Sequence, residues 1–232
     1  MTATLQIADA ASQDLHDRRE RAIETLREHW LTDTDLSFLR SLEPDVLARI
    51  ATEVERNHAR VSASQRPLYE AMARATRFIP NFMVAKLGSN LSPYVKARIC
   101  ECLEPKAAAA LSKAYEPAVL AEISLHLDAG LAAQIAALTE LDALSAIVQV
   151  LLARGLWRRL GEISDALEPG LLEKLVQRIR DPERIAKVAA HMTAVDKLSR
   201  VVRRLDAKLQ TAVIGALERH GPSAALSAIS GP

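Results

Sequence analysis

The chain has 232 residues, of which 49% are hydrophobic, 25% charged and 3% aromatic. This apolar fraction excludes intrinsic disorder over most of the length, because it can form a core of ordinary size. The balance of 30 Lys and Arg against 29 Asp and Glu excludes a polycation that binds nucleic acid by bulk charge. Two Cys exclude a disulfide scaffold and cannot alone complete a four-ligand zinc site.

The sequence predicts a cytoplasmic protein with no membrane span. Its first ten residues lack the basic stretch followed by an apolar core that marks a secretory signal. The longest strongly apolar segment, residues 143–153, has about half of the ~20 residues that cross a bilayer.

Helix-forming residues dominate the chain, and no segment alternates with period two, so we predict an all-α protein. The first predicted elements are a helix ending at about Trp30, a short helix over 35–42 and a longer one from Pro44 to about Arg60. The polar segment 61–67 is predicted as a connection. Its Pro67 then starts a helix that ends near Phe78.

A nonapeptide recurs at a spacing of twelve residues in the middle of the chain. Its copies read LSPYVKARI from Leu91, LEPKAAAAL from Leu103, YEPAVLAEI from Tyr115 and LDAGLAAQI from Leu127. Further copies start at residues 42, 167 and 205, and a weaker copy starts at residue 180. Self-similarity at a fixed period is typical of repeat architectures.

Proline at the third position of the repeat limits where each helix can begin. It occurs at Pro93, Pro105 and Pro117, and again at Pro44 and Pro169. Because proline lacks an N–H and fixes φ, it is tolerated in the first turn of a helix and not further in. The Ser, Asp or Glu before it can cap the helix or complement its dipole. The prolines therefore predict a series of short helices instead of one long helix.

Short helices are marginal in water and persist only where each buries its apolar side against neighbours. We therefore predict a right-handed superhelix, an α-solenoid of short stacked helices in which each unit contacts mainly the next. The predicted domains are a helical lead-in over residues 1–62, the superhelical repeat domain over 63–221 and a flexible tail over 222–232. A longer helix between residues 139 and 155 is predicted as a central packing element, with a self-association surface as the alternative.

The tandem L-x-P-x-x-x-A-x-[IL] units resemble the intracellular N-terminal superhelical domain of MgtE-type magnesium transporters. More distantly, they resemble the helical middle region of flagellar motor switch proteins. The resemblance covers roughly residues 91–217 and implies a superhelical fold with a regulatory role. In the transporters, acidic residues of the superhelix help to sense divalent cations at a domain interface. Since we expect neither the membrane part nor the partner domain here, no cation-sensing residue is carried over.

No segment matches a phosphate loop, a dinucleotide-binding fingerprint or a nucleophile elbow, and the six His are scattered. Cys100 and Cys102 lie two positions apart on a predicted helix, so their thiolates point apart and cannot easily share a metal. Cys102 is predicted in the core, and Cys100 is predicted as a partly exposed thiol with a possible redox role. We therefore predict no catalytic residues, no metal and no cofactor. An enzyme that uses isolated Arg or His residues is a third hypothesis.

Two surfaces are candidates for binding. Residues 69–83 gather two of the three Phe and two of the four Met, which indicates a pocket for an apolar ligand, a partner contact or a local core. Residues 150–210 carry 13 basic and 8 acidic residues, typical of a face for acidic partners or of a solvated surface. The candidates are Tyr69, Met72, Arg77, Phe78, Asn81 and Phe82 in the first, and Arg158, Arg159, Arg200, Arg203 and Arg204 in the second.

The leading functional hypothesis is a non-catalytic interaction or regulatory module that binds a partner protein through the groove of its helical repeats. The alternative is a protein that binds a small apolar ligand in a pocket around Phe78 and Phe82. The low aromatic content argues against stacking on single-stranded nucleic acid, so we expect no such partner.

Overall fold

The computed structural model describes residues 19, 20, 22, 23, 26 and 36–220. These residues form twelve α-helices and two short 3-10 helices, and no strand occurs among them. The prediction of an all-α fold built from stacked short helices is therefore confirmed. Most of the predicted first helix and the whole predicted tail, residues 222–232, lie outside the described residues.

The helices follow one another with short connections. The two 3-10 helices are Ser37–Ser41 and Gly88–Asn90. The α-helices are α1 (Pro44–Thr76), α2 (Asn81–Leu87), α3 (Pro93–Cys100), α4 (Pro105–Ser112), α5 (Pro117–Ser124), α6 (Ala129–Ala137), α7 (Leu141–Ala153), α8 (Trp157–Ala166), α9 (Pro169–Ile179), α10 (Pro182–Ala189), α11 (Val195–Arg203) and α12 (Ala207–His220).

The chain divides into two compact units, residues 1–67 and 68–232. The first unit has its own small apolar core, in which the first half of α1 packs on earlier segments. Its buried described residues are Ala22, Ile23, Leu26, Leu36, Leu39, Leu47 and Ala51.

Helix α1 continues through Pro67, where the sequence predicted a connection over 61–67 and a new helix. That prediction is wrong because it took polarity as a break in the helix. Most side chains of this segment are exposed, so polar residues fit a helix here, and no glycine interrupts it. An interior proline costs a helix one N–H···O bond and about 3 kcal/mol, which the residues on either side of Pro67 offset.

Each copy of the nonapeptide from residue 91 to residue 188 forms one helix or the start of one. Pro93, Pro105 and Pro117 occupy the first turn of α3, α4 and α5, as predicted. The Ser92 hydroxyl accepts a hydrogen bond from the Val95 N–H at 3.3 Å and caps α3. The Glu residues before α4 and α5 make no side-chain cap bond, so they act on the helix dipole alone.

The short helices of the second unit alternate between two columns. In one column α2, α4, α6, α8, α10 and α12 pack successively, and in the other α3, α5, α7, α9 and α11 do so. Each helix therefore packs mainly on the second helix after it, and the expectation that each unit contacts mainly the next is corrected. The predicted longer helix between residues 139 and 155 is α7, which packs between α5 and α9.

Alanine at the seventh position of the repeat allows the helices of a column to approach closely. This residue is buried in all five copies of the second unit that have it, because a methyl group fits between two helix backbones where a larger side chain would separate them. The residues are Ala97, Ala109, Ala121, Ala133 and Ala186.

Candidate ligand-binding cavity

An elongated apolar cavity of about 440 Å³ lies inside the second unit. Its lining begins at Met72 in the last turns of α1 and continues along both columns to Val202 in α11. The volume falls within the ~300–1,000 Å³ typical of small-molecule sites.

The repeat itself builds the wall of this cavity. In the six copies that start at residues 91, 103, 115, 127, 167 and 180, positions six and nine both line the cavity. Residues three apart share one side of a helix, so every helix presents the same pair. The pairs are Lys96 and Ile99, Ala108 and Leu111, Leu120 and Ile123, Ala132 and Ile135, Leu172 and Leu175, and Ile185 and Val188.

Polar groups are few along this lining, and most lie in its first half. Thr76, Ser112 and Thr139 contribute hydroxyls, and the Ser112 hydroxyl donates to the Ala109 carbonyl at 2.8 Å. Lys96 is the one charged residue of the described lining. Its Nζ lies 5.7 Å from the centroid of the Tyr115 ring, a distance at which a cation is attracted to the aromatic face.

The six candidate residues of segment 69–82 do not form one site. Tyr69 is buried in a core cluster, and Met72 lines the cavity. Arg77 and Asn81 are exposed, as are Phe78 at 87% and Phe82 at 68% of their surface. Neither Phe lines this cavity. The sequence grouped these residues by type, but they belong to three different elements. Tyr69 and Met72 lie on α1, Arg77 and Phe78 in the turn after it, and Asn81 and Phe82 on α2.

One of the five residues predicted on the basic face is buried. Arg159 is 7% exposed, and its guanidinium donates from Nε and Nη2 to the Ser124 carbonyl at 3.0 and 2.8 Å. It also donates to the Leu127 carbonyl. Arg158 forms an ion pair with Glu162 at 2.9 Å. The other three candidates, Arg200, Arg203 and Arg204, are exposed on or beside the last turn of α11.

Basic side chains of one helix also cap the carboxyl end of another helix, a role that sequence reasoning missed. Arg98 donates to the His126 carbonyl, and Lys197 donates to the Leu167 carbonyl at 2.8 Å. A bond also runs in the opposite direction, because the Asp165 carboxylate on α8 accepts a hydrogen bond at 2.8 Å from the Thr193 N–H, just before α11. Short helices leave many terminal carbonyls without partners, and these cations supply the missing donors.

Cys100 lines the cavity as a thiol held in its neutral form. Burial, with a smaller contribution from the nearby Glu101 carboxylate, raises the pKa of this thiol from 9.0 to about 12. In the folded protein at pH 8 we expect iodoacetamide to label Cys100 about a thousandfold more slowly than an ordinary thiol, because the thiolate is the nucleophile. Mass spectrometry of the Cys100 peptide measures this rate.

Labelling in urea is the control for Cys100, because the unfolded chain should react at the ordinary rate. Rapid labelling of the folded protein would contradict a thiol held in its neutral form. The unfolded thiol ionises above about pH 9 while the folded thiol keeps its proton, so this residue's contribution to stability decreases as pH rises from 9 towards 12.

No group of His, Cys, Asp and Glu in the described part of the chain could hold a metal ion. Within the same residues, no helix has the length and apolar character needed to cross a bilayer. No protein-family model matches the chain, and neither a curated protein nor a solved structure matches it significantly. The resemblance to the MgtE superhelical domain stays a prediction.

Proposed function

We propose that this protein binds an elongated, mainly apolar small molecule inside its second unit. The observation that supports the proposal is the continuous cavity of about 440 Å³, whose wall is made at each repeat by positions six and nine. The ligand lies between the two helix columns, where long hydrocarbon chains fit better than compact polar molecules. The proposal keeps the apolar ligand of the alternative hypothesis and moves its site away from Phe78 and Phe82.

The lining of the cavity favours an apolar ligand over water. Its residues are mostly aliphatic, and burying apolar ligand surface against them is favourable by about 25 cal/mol per Å². Water cannot replace the ligand well, because a buried water needs two to four polar partners and this lining offers few.

A partner-binding role is a second candidate with an observation of its own. Phe78 and Phe82 are exposed, and Leu87 near them is 70% exposed. These three large apolar side chains are exposed within ten residues of the chain, and exposed apolar surface is typical of protein interaction sites. The interaction or regulatory module of the leading hypothesis would then bind its partner at this segment. That role, the cytoplasmic location and the MgtE-like regulation stay predictions.

The proposal is tested by filling the cavity. Ile147 on α7 lines it and is only partly buried, so the Ile147→Trp substitution should occupy ligand space. We expect this variant to bind the apolar dye N-phenyl-1-naphthylamine at least tenfold more weakly than the unsubstituted protein, as measured by fluorescence titration. Leu138→Trp is the matched control, because Leu138 is 52% exposed and does not line the cavity.

A second occluding variant, Ile135→Trp on α6, keeps the test valid if the first does not fold. Circular dichroism identifies which variants keep the helical content. Binding in the cavity would be refuted if a folded occluding variant bound the dye as tightly as the unsubstituted protein. It would also be refuted if Leu138→Trp lost as much dye affinity as the occluding variants. Native mass spectrometry of the purified protein adds an independent measurement, in which we expect a bound small mass that Ile147→Trp lacks.

A further inference from the structure

We infer that the ligand is an amphiphile with one long hydrocarbon chain and one anionic head, and that Lys96 binds the head. This inference rests on the proposed function and specifies the ligand's chemical class. It begins from the repeat, whose sixth position is Ala, Leu or Ile in the five other copies that line the cavity. Lys96 therefore places a cation where the repeat otherwise places an apolar side chain.

No described carboxylate lies within ion-pair distance of the Lys96 ammonium. Lys113, which lies after the end of α4 and outside the lining, does have such a partner, because its ammonium pairs with Glu140 at 2.9 Å. A cation beside apolar surface loses part of its hydration, and an anion restores that loss far better than a neutral group does. The missing counter-charge is the chemical feature that a ligand with an anionic head would supply.

Tyr115 provides a second donor beside Lys96. Its ring is the one that Lys96 approaches, and it also lines the cavity. The Tyr115 hydroxyl keeps its proton at neutral pH and can donate to an anion, and burial raises the pKa of this phenol still further from neutrality. Gly88 allows the backbone to pass close to this hydroxyl, because a Cβ there would lie 3.3 Å from the oxygen.

The other end of the cavity contains no such group. From α9 to α11 its described lining consists of aliphatic side chains and Met192. A hydrocarbon chain directed along the columns from Lys96 would therefore meet apolar surface along its length. The cavity therefore has a cation at the α3 end and only apolar residues at the α11 end. This arrangement suits an amphiphile better than a neutral hydrocarbon or a compact ring system.

The experiment compares two ligands with the same chain and different heads. Hexadecanoate and its uncharged methyl ester compete with N-phenyl-1-naphthylamine for the unsubstituted protein and for Lys96→Leu. We expect hexadecanoate to bind more tightly than the ester and to lose about tenfold in affinity in Lys96→Leu, which equals about 1.4 kcal/mol. The affinity of the ester should not change. Lys96→Leu should fold, because Leu occupies the sixth position in the copies that start at Tyr115 and Leu167.

Lys106→Leu is the matched control, since Lys106 is exposed on α4 and does not line the cavity. It should leave both affinities unchanged. Comparing hexadecyl phosphate with hexadecanoate identifies whether the preferred head is a phosphate or a carboxylate. The inference is supported if either anion binds more tightly than the methyl ester. The inference would be overturned if hexadecanoate and its methyl ester bound with equal affinity. It would also be overturned if Lys96→Leu weakened the binding of both ligands to the same extent. If neither ligand displaces the dye, the proposed function itself fails.

Discussion

Replacing Arg159 by alanine should lower the free energy of unfolding by about 3 kcal/mol. The side chain is buried, and its guanidinium serves the carbonyls of Ser124 and Leu127 at the end of α5. A hydrogen bond from a charged donor contributes about 1.5–3 kcal/mol, and a buried acceptor that loses its donor costs a further ~1–3 kcal/mol. Urea denaturation followed by circular dichroism measures the change.

Two further variants separate this role from the loss of a surface charge. Arg200→Ala removes an exposed cation from α11 and should change stability by less than about 0.5 kcal/mol. Arg159→Lys keeps the charge but not the planar fork that reaches both carbonyls, so we expect an intermediate loss. Similar stabilities of Arg159→Ala and Arg200→Ala would show that the guanidinium does not cap α5.

Adding one methyl group at Gly161 should destabilise the second unit by about 1–3 kcal/mol. A Cβ at this position would lie 2.8 Å from the carbonyl oxygen of His191 and 2.9 Å from its carbonyl carbon. Both are backbone atoms, so α8 must move away from the segment after α10, and the packing of their column loosens. Thermal unfolding of Gly161→Ala measures the loss.

Gly170→Ala is the matched control, because it adds the same methyl group with no heavy atom within 4 Å. Since Gly170 lies in helix α9, alanine there should stabilise the protein by about 0.4–1 kcal/mol. The two substitutions should therefore have opposite signs. Equal effects would mean that helix propensity, and not the approach of two backbones, governs both positions.

The sequence predicts the start of each repeat helix well because the signal is local. Proline at Pro93, Pro105 and Pro117 restricts its own φ and removes its own N–H, so no distant residue is needed to place a helix start there. The cavity-lining positions share this property, since positions six and nine of one helix side can be counted once the helix starts are known. The existence of the cavity is different, because it depends on how the two columns pack.

Long-range contacts explain what sequence reasoning missed. Arg159 donates to carbonyls 32 to 35 residues earlier in the chain, and no local sequence pattern distinguishes it from the adjacent Arg158. The exposure of Phe78 and Phe82 depends likewise on which other segments pack against the turn after α1 and against α2. Pro67 is the opposite case, in which a local rule is overridden because the helix on both sides continues.

The alternation of helices between two columns makes the parity of the repeat number matter. Deleting a single twelve-residue unit would transfer every later helix to the opposite column, and its neighbours above and below would change with it. Deleting two consecutive units, about 24 residues, would leave all later helices in place and shorten the columns by one layer. We therefore expect natural length variants of this architecture to gain or lose helices in pairs.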